Sequence, residues 1–138
     1  MTLLLDANML SEMRKRECLR NRGVKAWERE TDLSAAFLSA ITVSELATWV
    51  ALVKRRDAAQ GPLIEQWFHG RVLELFGPRI LPVDTGIAVR AGLLHVPDPR
   101  DYRDAFIAAT ALVHGLTIVT RNVAGFAPTG AKVFNPFT

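Results

Sequence analysis

Short apolar runs of strand length alternate along this chain with stretches of helical periodicity, and that alternation restricts it to a largely parallel sheet covered by helices. Leu3-Leu4-Leu5 reads as a buried strand and Ala7–Arg16 as the helix that follows it. The charged segment Val24–Thr31 reads as a second, mostly solvated helix. Phe37–Ile41 is the next strand, and Val43–Arg56 carries Leu46, Trp49, Val50 and Val53 at the i, i+3, i+4, i+7 spacing of one apolar helix face. Gly61-Pro62 marks the start of the helix Leu63–Phe76, which Gly77-Pro78 stops. Ile80–Val83 is strand-like, with Pro82 placing it at an edge or a strand end, and Asp84 caps a helix over Thr85–Leu94. Asp101–His114 is helical with Gly115 as its C-cap, Leu116–Thr120 is a β-branched strand, and Lys132–Phe134 is the last strand. The expected fold is therefore α/β, three layers α/β/α around a central, mostly parallel sheet. With no repeat or linker-like stretch, residues 1–138 read as one domain.

Composition narrows the function classes. Although 49% of the residues are hydrophobic, no uninterrupted apolar run approaches the length of a membrane span, and the chain enters its first strand at once, so a soluble, unprocessed protein without membrane association is expected. One cysteine, Cys18, permits no internal disulfide and fits a reducing cytoplasm. Neither it nor His69, His95 and His114 has zinc-ligand spacing. A net charge of +3 permits a polyanionic partner without demanding one.

Three acids abut segments that should be core: Asp6 ends the leucine run, Glu45 follows the apolar Phe37–Val43 segment, and Asp104 opens the alanine-rich Ala105–Val113 stretch. Right-handed crossovers bring successive strand ends to one side of a parallel sheet, where ligands bind. Three carboxylates about 5 Å apart repel by roughly 3 kcal/mol per pair at an effective dielectric near 20. Mg²⁺, or Mn²⁺, removes that repulsion by taking hard oxygen ligands, and its open positions suit nuclease chemistry. Each acid also has a structural alternative. Thr42-Val43-Ser44-Glu45 has the form of a capping box, Asp104 would oppose the helix dipole, and Asp6 would cap the helix after it.

Leu4-Leu5-Asp6-Ala7-Asn8, Thr42-Val43-Ser44-Glu45-Leu46, Asp104-Ala105-Phe106-Ile107-Ala108-Ala109-Thr110-Ala111, Val119-Thr120-Arg121-Asn122 and the closing Val133-Phe134-Asn135-Pro136-Phe137 occur in that order over essentially the whole chain. Together they resemble the PIN-domain ribonucleases, particularly the toxins of VapBC-type toxin–antitoxin pairs. The resemblance implies an Mg²⁺-dependent endoribonuclease with an acidic pocket of Asp6, Glu45 and Asp104 and with Asn8, Thr120 and Asn122 as polar neighbours. It further implies a cognate antitoxin that covers the acidic groove and makes the contact with operator DNA. The pattern departs from many relatives at Gly125, where an acid is usual, which bears on a second metal site; Asp101 either compensates or caps its helix.

Arg14, Lys15 and Arg16, together with Arg20, Arg22, Lys25 and Lys54-Arg55-Arg56, are candidates for gripping RNA phosphates, and Arg121 lies nearer the pocket. Solvated helix faces are the bland reading of the same residues. The apolar Leu63–Phe76 helix is expected to give a homodimer or to receive a partner. Two rival readings are a catalytically silent PIN-like RNA-binding or regulatory module, and an aspartyl-phosphate phosphatase using Asp6. The second lacks the usual nearby acid, since Asp6-Ala7-Asn8 follows.

Overall fold

The computed structural model describes residues 2–138. Its strands are β1 (Leu3–Leu5), β2 (Ala36–Ser39), β3 (Ile80–Leu81), β4 (Thr117–Val119) and β5 (Lys132–Phe134), in the order β3-β2-β1-β4-β5. Every neighbouring pair is parallel, so the sheet is wholly rather than mostly parallel. The helices are α1 (Ala7–Arg14), α2 (Arg22–Glu30), α3 (Ala40–Arg56), α4 (Gln60–Trp67), α5 (Leu73–Phe76), α6 (Thr85–Leu93), α7 (Tyr102–His114) and α8 (Val123–Phe126).

The layers follow from the period of two in the central strand. Leu3 and Leu5 point into one core with Leu46, Val50 and Val53 of α3 and Ile64, Phe68, Val72 and Phe76 beyond it. Leu4, between them, points to the opposite core with Ile107, Ala108 and Ala111 of α7 and Phe126 of α8. Helix α7 is clamped on a second side as well, since Ala105 and Ala109 pack with Ile87 and Ala91 of α6. Its alanines therefore serve close approach to both the sheet and a neighbouring helix. Gly115 closes α7 at φ 66°, a left-handed conformation that suits glycine, as expected. Pro82 ends β3, which lies at the sheet edge.

Most element ends shift by one to three residues from expectation, and two differences bear on the site and the core. Helix α3 starts at Ala40 rather than Val43, because the Ser39 hydroxyl accepts the Ile41 N–H and so caps the helix; the strand stops at Ser39 instead of Ile41. The Thr42–Glu45 capping box is thereby excluded: both residues lie inside α3, and the buried Thr42 hydroxyl has no hydrogen-bond partner among the described residues. The helix expected over Leu63–Phe76 is interrupted by a π-turn at Phe68–Val72. Its buried residues Ile64, Phe68, Val72 and Phe76 recur every fourth position, and an uninterrupted α-helix of 3.6 residues per turn would carry them progressively off the core. The wider π-turn restores their alignment.

Candidate active site

From β1 the chain moves outward to β2 and β3, then returns to place β4 on β1's other side. The crevice beyond the ends of β1 and β4 is thus the topological switch point of the sheet. Asp6 ends one of these strands and Thr120 the other. The Thr120 hydroxyl donates to Asp6 Oδ2 at 2.7 Å, and Asn8 Nδ2 donates to the same oxygen at 3.2 Å and to Thr120 Oγ1 at 3.1 Å. Asp6 Oδ1 accepts the Ala7 N–H at 2.9 Å, so the residue does cap α1 while its carboxylate is held in one orientation. Asn8 Oδ1 accepts the Arg121 N–H, and Thr120 Oγ1 accepts the Asn122 N–H. Asp6 is 7% exposed and Thr120 fully buried, which locks this network against solvent.

Glu45 enters from the second turn of α3 and Asp104 from the first turn of α7. Burial first, and then the field of Asp6, push the Glu45 carboxyl up to about 7; Arg103 opposes the rise, while Asp104 and Asp101 add to it. The Asp104 carboxyl is likewise raised, by burial and then by Asp101 and Asp6. These acids are close enough to feel one another. Among the described residues, however, no three His, Cys, Asp or Glu side chains already converge as a ligand shell. The two facts agree, since Coulomb forces reach past ligand distances and unscreened like charges hold apart. Glu45 Oε1 is buried with no hydrogen-bond partner among the described residues, an acceptor left open inside an acidic site. Hard carboxylate oxygens with one unfilled acceptor fit a divalent cation of the Mg²⁺ type.

Asp101 caps α7 by accepting the Arg103 and Asp104 N–H groups, and the Arg103 side chain holds its carboxyl below the usual range. Asn122 caps α8 through Gly125 N–H. Gly125 faces the site: a Cβ there would lie 2.5 Å from Asn122 Nδ2 and 2.9 Å from Asp104 Oδ2. A cleft of about 370 Å³ opens beside Glu45, lined by Asn8, Ser11, Ser44, Thr48, Trp49, Leu52 and Arg103 among others.

The basic residues differ in their partners. Arg20 is bound to Glu28 and to the Met13 and Lys15 carbonyls, Lys15 pairs with Glu12, and Lys54 with Glu65. Arg14 lies over the Trp67 ring, and Arg16, Arg22, Lys25, Arg55 and Arg56 make no ion pair among the described residues. The Arg121 guanidinium stacks on Phe137, 4.1 Å from its ring centroid, and its field falls on Glu12. Two partnered charges were not singled out in the sequence. Arg103, between two acids, reaches Glu45 across helices at the site, and the buried Glu12, away from it, fixes the α1–α2 corner by accepting the Asn21 N–H. Arg103 had a signal in the Asp101–Asp104 spacing; Glu12, one charge in a polar helix, had none.

The PIN domain pattern matches residues 3–128. The chain is 34% identical to Toxin FitB of Neisseria gonorrhoeae, with 98% of each chain covered, and 33% identical to the VapC ribonuclease Y4jK of Sinorhizobium fredii, with 98% of this chain and 97% of that one covered. Its fold superimposes on the structure of FitAB bound to an IR36 DNA fragment with a TM-score of 0.88 at 32% identity, covering 99% of this chain and 96% of the other. The carboxylates at the switch point of this parallel sheet are thus those of a protein that belongs to the PIN-domain family, alongside FitB and the VapC ribonucleases.

Proposed function

We propose that this protein is a metal-dependent endoribonuclease acting as the toxin of a toxin–antitoxin pair. The observation that carries the reading is Glu45: a half-buried acid beside Asp6 and Asp104, with a buried oxygen that none of the described residues satisfies. Its similarity to proteins named a toxin and a VapC ribonuclease supports the same conclusion. Asp6, Glu45 and Asp104 would hold Mg²⁺ or Mn²⁺. The bound ion supplies a lowered pKa for the attacking water and stabilises charge developing on the phosphate.

The chain's own residues perform the remaining tasks. Thr120 and Asn8 orient the Asp6 carboxylate, and the Asp101 cap fixes the turn that presents Asp104. With its carboxyl raised to about 7, Glu45 is divided between its protonated and ionised forms near neutral pH, and cation binding would favour the ionised one. Arg14, Arg16, Arg55 and Arg56 would contribute backbone contacts to RNA, and single-stranded or loop segments are the accessible substrate. A cognate antitoxin would cover the acidic groove and carry the contact to operator DNA, in keeping with the VapBC-like pattern of motifs. Leu63 and Leu75, which are 56% and 62% exposed on α4 and α5, would serve a homodimer.

Gly125, without the acid usual at its position, supports a second reading in which the protein binds RNA but cuts it weakly. One assay separates the two. Purified protein should cut loop RNA with Mg²⁺ or Mn²⁺ and stop in excess EDTA. RNA binding without cutting at any metal concentration would favour the silent module, and undiminished cutting in chelator would remove the metal from the mechanism.

A further inference from the structure

Arg103 neighbours two acids of its own helix start, and its guanidinium crosses to a third on another helix. Nη2 lies 3.3 Å from Asp101 Oδ2 and Nε donates to Asp101 Oδ1 at 3.4 Å. Nη1 stands 3.9 Å from Glu45 Oε2, an ionic contact too long for a hydrogen bond. The guanidinium is therefore tethered to Asp101 and only leans on Glu45. Its side chain is 63% exposed, so little packing resists its turning away. Among the described residues it is the one cation paired with Glu45, whose second oxygen is buried and unfilled.

We infer that Arg103 is a tethered counter-cation that competes with a divalent cation for Glu45 and yields that carboxylate when the cation binds. This rests on reading the site as a metal centre. Without metal, a guanidinium against Glu45 offsets part of the repulsion among the acids, which lets the fold carry them. Once a doubly charged ion sits among the same carboxylates, the guanidinium is repelled and its weak contact is lost. The anchor at Asp101 keeps it at the mouth of the cleft lined by Asn8, Ser44 and Glu45. Divalent affinity is thus set partly by a residue of the chain itself, outside the ligand set.

Calorimetric titration of the full chain with Mn²⁺ tests this without reference to cleavage. Arg103→Gln should tighten Mn²⁺ binding by on the order of tenfold, while Arg103→Lys, which keeps the charge, should stay near the unmodified protein. In a Glu45→Gln background the gain from Arg103→Gln should disappear, because the competition runs through Glu45. Circular dichroism melts verify that each variant is folded. The inference is overturned if Arg103→Gln binds Mn²⁺ no tighter than the unmodified protein, or if its gain persists with Glu45 replaced. Those outcomes alongside Glu45-dependent Mn²⁺ binding would sink the competition alone. No Mn²⁺ uptake at all, unchanged by Glu45→Gln, would take the metal-centre reading down with it.

Discussion

The hydroxyl of Thr120 donates to Asp6 Oδ2 at 2.7 Å, joining the ends of two strands that lie side by side in the sheet but 114 residues apart in sequence. The same hydroxyl accepts from Asn8 Nδ2 and Asn122 N–H, so one buried oxygen sets the conformation of both loops at the switch point.

Replacing Thr120 by Val keeps the shape and removes that hub. Stability should fall by about 1–3 kcal/mol, because the Asp6 carboxylate and the Asn122 N–H lose a buried partner. Cleavage should fall with it, and Thr120→Ser should restore both. Melting curves and RNA cleavage on the pair check this; a Val variant as stable and active as the parent would deny the hydroxyl any role.

Asp6→Asn and Asp104→Asn should each lower cleavage by orders of magnitude, but their metal-free stabilities should diverge. Asp6 accepts from Ala7, Asn8 and Thr120, and an amide satisfies only part of that set, so Asp6→Asn should cost about 1–2 kcal/mol. Asp104 is held with a raised pKa by burial and by neighbouring acids, so removing its charge should leave stability equal or higher. Near-normal cleavage by either folded variant would strike that residue from the site.

Glu45 should make the metal-free protein less stable as pH rises. Its carboxyl ionises near 4.5 when unfolded and at about 7 when folded, so between those values the folded state holds the extra proton. Stability should therefore decline from pH 4.5 to pH 7 and level off above. After discounting for partial solvent exposure, the loss should be on the order of 2 kcal/mol. Glu45→Gln should flatten that slope, and Mn²⁺ should offset it in the unmodified protein. An identical slope in Glu45→Gln would show that another group titrates.

Gly125 is confined by space rather than by backbone conformation, since its φ is not positive and an added Cβ meets the side-chain ends of Asn122 and Asp104. Gly125→Ala should fold and bind divalent ions no better than the parent. Gly125→Asp should bind them more tightly than Gly125→Ala, because its carboxylate arrives beside Asp104. Equal affinities in calorimetric titration would mean that an acid at this position does not reach the cation.

Thr42 provides a check on the start of α3. With its buried hydroxyl unpaired, Thr42→Val should stabilise the protein by about 1 kcal/mol, whereas a capping-box role would make the same change destabilising. A thermal melt distinguishes the two by sign.

Short-range chemistry was legible in the sequence. The caps at Asp84, Asp101 and Gly115 and the edge position of β3 depend on residues within a turn or two of one another, whereas the order of strands and helices and the family pattern come from short local motifs taken in sequence along the whole chain. The three acids stood out for the same reason, each being a charge set against an apolar segment. Only the tertiary structure decided what those acids meet. Ser39 takes the cap of α3 and frees Glu45 to reach the site, a choice between neighbouring candidate caps that packing settles. The π-turn in the α4–α5 region answers to the core it must face. Thr120 finds Asp6, Arg103 finds Glu45, and Gly125 comes to face Asp104 through crossovers that bring distant segments together. Burial and mutual charge, which raise Glu45 to about 7, exist only once those segments are packed, so no local pattern encodes them.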